Sequence, residues 1–192
     1  MGELWVTEPG PAQLITRYRD IATTLATGSR SADVTAELVY VGQGNTPADY
    51  AGKNVKGKIV LTSGAVGAAH NLAVRQYGAE GVVSFFNGTG KPIDRPDQMG
   101  WSGIQASADP NVRTTWGFIL SLRMGLDLLG RLEKHQKVMV HVCKQENIEY
   151  PRDNNFGKDW DKIKKELRAF HDRLFALGLG LVVLCHESTR EQ

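Results

Sequence analysis

The stretch from Lys58 to Phe86 constrains the fold more than any other part of this sequence. It opens with Ile59-Val-Leu61, an apolar run too short for a helix and closed by a Ser-Gly turn, which reads as a buried strand. Gly64, Ala65, Gly67, Ala68 and Ala69 follow, and side chains this small let a helix begin close against a sheet. Ala69, Leu72, Ala73 and Gln76 then recur at helical spacing and predict the inward face, while Gly78 supplies the stop. Gly81-Val-Val-Ser84 returns to extended structure. Two parallel strands joined by a crossover helix is the economical arrangement.

Around this unit the rest of the chain up to about residue 145 reads as further strands and one more helix. Leu4-Trp-Val6 is a short extended segment that ends at Pro9-Gly-Pro11, since Pro11 cannot donate to a ladder. Thr16 to Asp20 reads as a surface connection, and Ile21 to Thr27 as a strand or loop. Val34 to Val41 alternates as a half-buried strand does. Gly42 to Pro47 carries turn chemistry, and Ala48 to Gly52 suits a single helical turn. Thr115 to Leu120 is a second apolar strand. Ser121 is placed to cap a helix whose stripe is Leu122, Leu126, Leu129 and Leu132. Val138 to Val142 closes the unit as a last strand.

Composition shifts near Lys144. A breaker-rich linker spans residues 146–157, and residues 158–192 read as an amphipathic helix plus a short strand. Trp160, Ile163, Leu167, Phe170, Leu174 and Leu177 form the apolar stripe of that helix, and Leu181 to Cys185 the strand. The expected organisation is therefore a domain over 1–145, a linker, and a helix–strand appendage.

The 192 residues include 23 basic and 21 acidic side chains, a balance that implies neither a nucleic-acid nor a membrane-surface partner. No apolar run is long enough to span a bilayer, and the N-terminal residues have neither a basic nor an apolar leader region. That leaves the compartment open. Cys143 and Cys185 are too few and too far apart for a disulfide framework or a C-x-x-C metal site.

Several arrangements resemble catalytic motifs and fall short of them. Gly52-Lys-Asn-Val-Lys-Gly-Lys58 matches G-x-x-x-x-G-K, but Ile59 replaces the hydroxyl that holds magnesium. A strand follows it where a helix N-terminus should cradle phosphate. The Gly64-Ala-Val-Gly67 turn lacks dinucleotide-binding spacing, so strand–helix packing explains its small residues. His70, His135, His141, His171 and His186 fall on separate elements without the paired acids of a zinc site. No G-x-S-x-G motif is present, and Asp94, Asp97 and Asp109 lack calcium-loop spacing. The long segment from Asn87 to about Asn111 has no periodicity, and such loops often bind. Asp97, Met99 and Trp101 are its candidate recognition residues, Met99 and Trp101 as large apolar groups in a polar loop.

Taken in order, Ser29 to Gly42, Asp49 to Leu61, His70 to Val74, Tyr77 to Ser84, Asp94 to Ile104 and Gly117 to Ser121 resemble the protease-associated domain. The version is similar to the one inserted in zinc-dependent aminopeptidases and carboxypeptidases of the transferrin-receptor-like clan, and Glu3-Leu-Trp-Val-Thr-Glu-Pro9 resembles their lead-in. The resemblance covers about residues 1–143. It implies an α/β fold: a mixed sheet with flanking helices. It also implies a non-catalytic lid or binding role toward a peptide or protein, a peptidase catalytic domain included. Zinc belongs to the catalytic domain of that family, whose members are often secreted. No catalytic, cofactor or metal residue carries over to this chain. The appendage is similar instead to a helix–strand piece of phage RecA-like ATPases. That leaves two alternatives: a fragment or fusion of a nucleotide-dependent ATPase, or a truncated product without independent function.

Overall fold

The structure is a computed structural model that describes residues 2–86, 88, 95–107, 109, 111–135 and 137–144. These lie within a first unit, Met1–Asn147. The expected linker, amphipathic helix and final strand lie outside the described residues, as do Asp94, His171, Cys185 and His186.

In chain order the elements are β1 (Gly2–Glu8), β2 (Gln13–Arg17), β3 (Ala32–Tyr40), β4 (Ile59–Thr62), α1 (Val66–Ala73), β5 (Gly81–Ser84), β6 (Trp116–Ile119), α2 (Leu122–Lys134) and β7 (Met139–Lys144). They build one seven-stranded sheet in the order β2-β1-β7-β3-β4-β5-β6. Strands β3 to β6 are mutually parallel. β7 runs antiparallel to both β1 and β3, and β2 is antiparallel to β1. Among the described residues the class is α/β with a mixed sheet and two helices, as the resemblance implies.

The central unit folds as expected, with β4 and β5 parallel and α1 between them. Its helix is shorter than the spacing predicts. The buried residues are Val66, Ala69, His70 and Ala73, and Gln76 lies exposed beyond the last helical residue. Gly78 takes φ +73°, the left-handed conformation that a turn into β5 requires. Gly64 is fixed by close approach instead: a Cβ there would sit 2.0 Å from the Gln43 carbonyl oxygen.

Two expectations are corrected. Thr16 and Arg17, expected at the start of a surface connection, instead end the edge strand β2, which buries only Thr16 fully and so carries little apolar signal. Ile21 to Thr27, expected as a strand or loop, is a loop with a 3-10 turn at Ala22–Thr24. On α2, Leu126 points outward and is half exposed. The inward face is Gly125 and Leu128, flanked by Met124, Leu129 and Leu132. Gly125 allows this approach, because a Cβ there would fall 2.1 Å from that of Phe85. Ser121 does cap the helix, its hydroxyl accepting from the Met124 N–H at 3.3 Å.

Two cores lie on opposite faces of the sheet. One gathers Leu4, Val6, Leu38, Leu61, Val83, Trp116, Phe118, Val140 and Val142 with Leu128 of α2. The other gathers Val60, Val82 and Ile119 with Val66, Ala69 and Ala73 of α1. Gly2 pairs with Lys144, so the start of β1 and the end of β7 meet side by side at the end of the sheet where β3 begins.

Candidate functional site

The C-terminal ends of β5 and β6 and the start of α1 surround a shallow cleft of about 140 Å³. It is lined by Ala65, Val66, Ser84, Phe86, Trp101 and Ile119, together with Gly88, Gly100 and Ser102. Crevices outside the carboxyl ends of parallel strands are where α/β sheets commonly take ligands.

The loop that supplies Trp101 is pinned on both sides. Before it, the Arg123 N–H of α2 donates to the Pro96 carbonyl at 3.0 Å. The Arg123 guanidinium grips Asp97 in a two-pronged pair at 2.7 and 3.0 Å. That hydrogen bonding, with the guanidinium charge, holds the Asp97 carboxyl below the usual carboxylate range. After it, the Thr27 N–H donates to the Ser102 carbonyl at 3.1 Å and the Ile104 N–H to the Thr27 carbonyl at 2.9 Å. The Arg75 side chain also donates to the Gln105 carbonyl. Gly103 lies so close to α1 that a Cβ on Gly67 would come within 2.8 Å of its carbonyl oxygen. Between these anchors Trp101 is 76% exposed.

The three candidate residues thus have different placements. Trp101 lines the cleft, Asp97 commits both oxygens to Arg123, and Met99 is half-buried outside the lining. The sequence reading missed Phe86, which is 47% exposed and lines the same cleft as Trp101. Its signal is a large apolar residue two positions past the buried β5 and just before the Asn87-Gly88 dipeptide.

No side chain of the cleft is armed for nucleophilic chemistry. The Ser84 hydroxyl donates to the Gly64 carbonyl at 2.7 Å and accepts from the Phe86 N–H at 3.2 Å. Lys58 of the phosphate-loop look-alike is ion-paired with Glu37 at 2.9 Å, and β4 follows it directly.

The described histidines do not converge either. His70 is fully buried on α1. Its Nε2 accepts from the Thr115 N–H at 3.2 Å, which puts the proton on Nδ1, an atom without a hydrogen-bond partner. Burial, reinforced by the charges of Arg75 and Arg113, lowers its pKa to about 4. His141 lies across the sheet, bonded through Nδ1 to the Thr35 hydroxyl at 3.0 Å, and His135 ends α2. Among the described residues no group of three or more His, Cys, Asp or Glu side chains is placed to hold a metal ion, so they do not fit a zinc centre. Among the same residues no helix is long and apolar enough to cross a membrane.

No family model matches the chain, and no curated protein sequence matches it. Its fold is similar to part of several peptidases. The aminopeptidase from Aneurinibacillus sp. strain AM-1 is 27% identical over 74% of this chain and 30% of that one, with a TM-score of 0.51. A peptidase M28 precursor from Shewanella amazonensis SB2B matches at 16% identity, over 74% of this chain and 34% of that one, with a TM-score of 0.54. BSAP, a zinc aminopeptidase from Bacillus subtilis, matches at 18% identity, over 74% and 30%, with a TM-score of 0.50. The first likeness extends to sequence; the other two are of fold alone. This chain spans about a third of the length of these neighbours.

Proposed function

We propose that residues 1–145 are a protease-associated-type domain that acts as a non-catalytic, partner- or substrate-binding lid of a zinc metallopeptidase. The observation that carries this reading is the likeness, in fold and sequence, to a stretch of the Aneurinibacillus aminopeptidase amounting to less than a third of that enzyme. The chain's own geometry supports it. Gly2 and Lys144 are paired neighbours at one end of the sheet, so a larger protein can be continuous across both without disturbing the fold. The cleft lies at the other end. Register places Ser84 about nine residues beyond Ala32 along the strands, roughly 30 Å away. Such a domain carries its binding face far from its attachment, as a lid must.

In this reading the ligand is a peptide or a protein surface. Catalytic zinc and its general base belong to a separate catalytic domain. The test is direct. The full chain, offered aminoacyl 4-nitroanilides and assayed for metal, is expected to hydrolyse none and to bind no stoichiometric zinc. Chelator-sensitive hydrolysis accompanied by bound zinc would overturn the proposal.

A further inference from the structure

Phe86 and Trp101, two large apolar side chains with much of their surface in water, flank one cleft, and the remainder of its lining is apolar or small. We propose that this cleft receives a single uncharged apolar side chain, a phenyl ring or a leucine-sized branch, presented by a polypeptide. This deepens the binding-lid reading and rests on it only in naming a polypeptide as the source of that side chain.

Volume, charge and rigidity carry the assignment. At about 140 Å³ the space is close to that of a ~150 Å³ apolar cavity able to hold benzene, so it takes one ring and not two. Among the described residues no ionisable side chain lines it. Asp97 and Arg123, charges borne by the loop and its anchor, neutralise each other. The Ser84 hydroxyl already has both an acceptor and a donor. A charged guest would therefore lose hydration and gain no counter-charge from these lining residues, whereas an apolar guest loses only unfavourable contact with water. Because the Trp101 loop is anchored at Pro96, Asp97, Ser102 and Ile104, the indole needs little ordering when a guest arrives.

The test titrates the isotope-labelled full chain with N-acetyl phenylalaninamide, N-acetyl leucinamide and N-acetyl lysinamide, followed by heteronuclear NMR. The expected result is saturable shifts at Val66, Ser84, Phe86, Ile119 and the Trp101 indole N–H with the first two probes. Binding of the lysine probe should be at least about tenfold weaker. Trp101→Ala should weaken phenylalaninamide binding on the order of tenfold, and Trp101→Phe should restore most of it. Equal response to lysinamide, shifts that map away from the cleft, no saturable response, or unchanged affinity in Trp101→Ala would each overturn the proposal. Failure here is distinguishable from failure of the lid reading. A chain that binds these amides yet shows zinc-dependent hydrolysis keeps the cleft and loses the lid, while a chain with neither property does the reverse.

Discussion

The parallel and antiparallel halves of this single sheet obey different rules. In β4 the consecutive residues Ile59, Val60 and Leu61 are all wholly buried, because α1 packs on one face of β4, β5 and β6 while the α2 core fills the other. In β7 the pattern alternates. Val140 and Val142 are buried, while Met139, His141 and Cys143 stay partly exposed on a face that, among the described residues, carries no helix. A parallel strand sandwiched by helices has no polar side, and an antiparallel strand with one covered face does. The candidate cleft lies where the doubly covered half ends, because there the ends of β5 and β6, the start of α1 and the Trp101 loop meet.

Paired substitutions along each strand would break this comparison if it were wrong. Leu61→Ala should cost about 2–5 kcal/mol and Val60→Ala about 1–3 kcal/mol in urea denaturation, since neighbours on opposite faces both leave cavities. In β7, Val140→Ala should likewise cost about 1–3 kcal/mol, yet His141→Ala should stay within about 0.5 kcal/mol. Similar losses at Val140 and His141 would mean that the open face is not open.

The same contrast explains what could be read from the sequence. The doubly buried half is legible because continuous apolar runs, small-residue turns and Gly78 all point to one β-α-β unit. In the other half, β1, β3 and β7 are recognisable as strands but their order is not. That β7 inserts between β1 and β3 is settled by which alternating faces fit together, a tertiary matter. The edge strand β2 escapes because four of its five residues keep contact with water. At the site, Trp101 stands out as an aromatic in a polar loop. Its companions do not, because Phe86, Ala65 and Ile119 converge only once β5 and β6 lie parallel. Nor does Asp97 reveal that its charge is spent on Arg123, which lies in α2.

His70 sharpens the comparison through pH. Its pKa falls from 6.5 in the unfolded chain to about 4 in the fold, where the neutral ring accepts from Thr115 amid apolar packing. The unfolded chain therefore takes up a proton first as the pH drops. The stability contribution is complete above about pH 6.5, is lost as the pH falls toward 4, and amounts to about 3 kcal/mol over that window. In His70→Gln this part of the pH dependence should vanish. An unchanged slope between pH 6.5 and 4 in the variant would show that His70 titrates normally.

A smaller effect is expected at Ser121, whose hydroxyl caps the helix that supplies Leu128 to the core and Arg123 to the loop. Ser121→Ala should cost about 1 kcal/mol, visible as a lowered urea midpoint with an unchanged slope. Because α2 holds the loop, the cap is also expected to matter slightly for the position of Trp101, and its indole resonance should shift in this variant.

Trp101→Ala should have the least effect on stability, within about 0.5 kcal/mol, because three-quarters of the side chain already faces water. Its diagnostic value lies in that smallness. A residue retained for packing is costly to truncate and leaves binding to others; a residue retained for recognition is inexpensive to truncate and its loss is felt only by the guest. Near-wild-type unfolding combined with loss of the phenylalaninamide response would place Trp101 in the second class. A large destabilisation would instead make the indole part of the parallel-half core, and the cleft would then be a consequence of packing with no guest of its own.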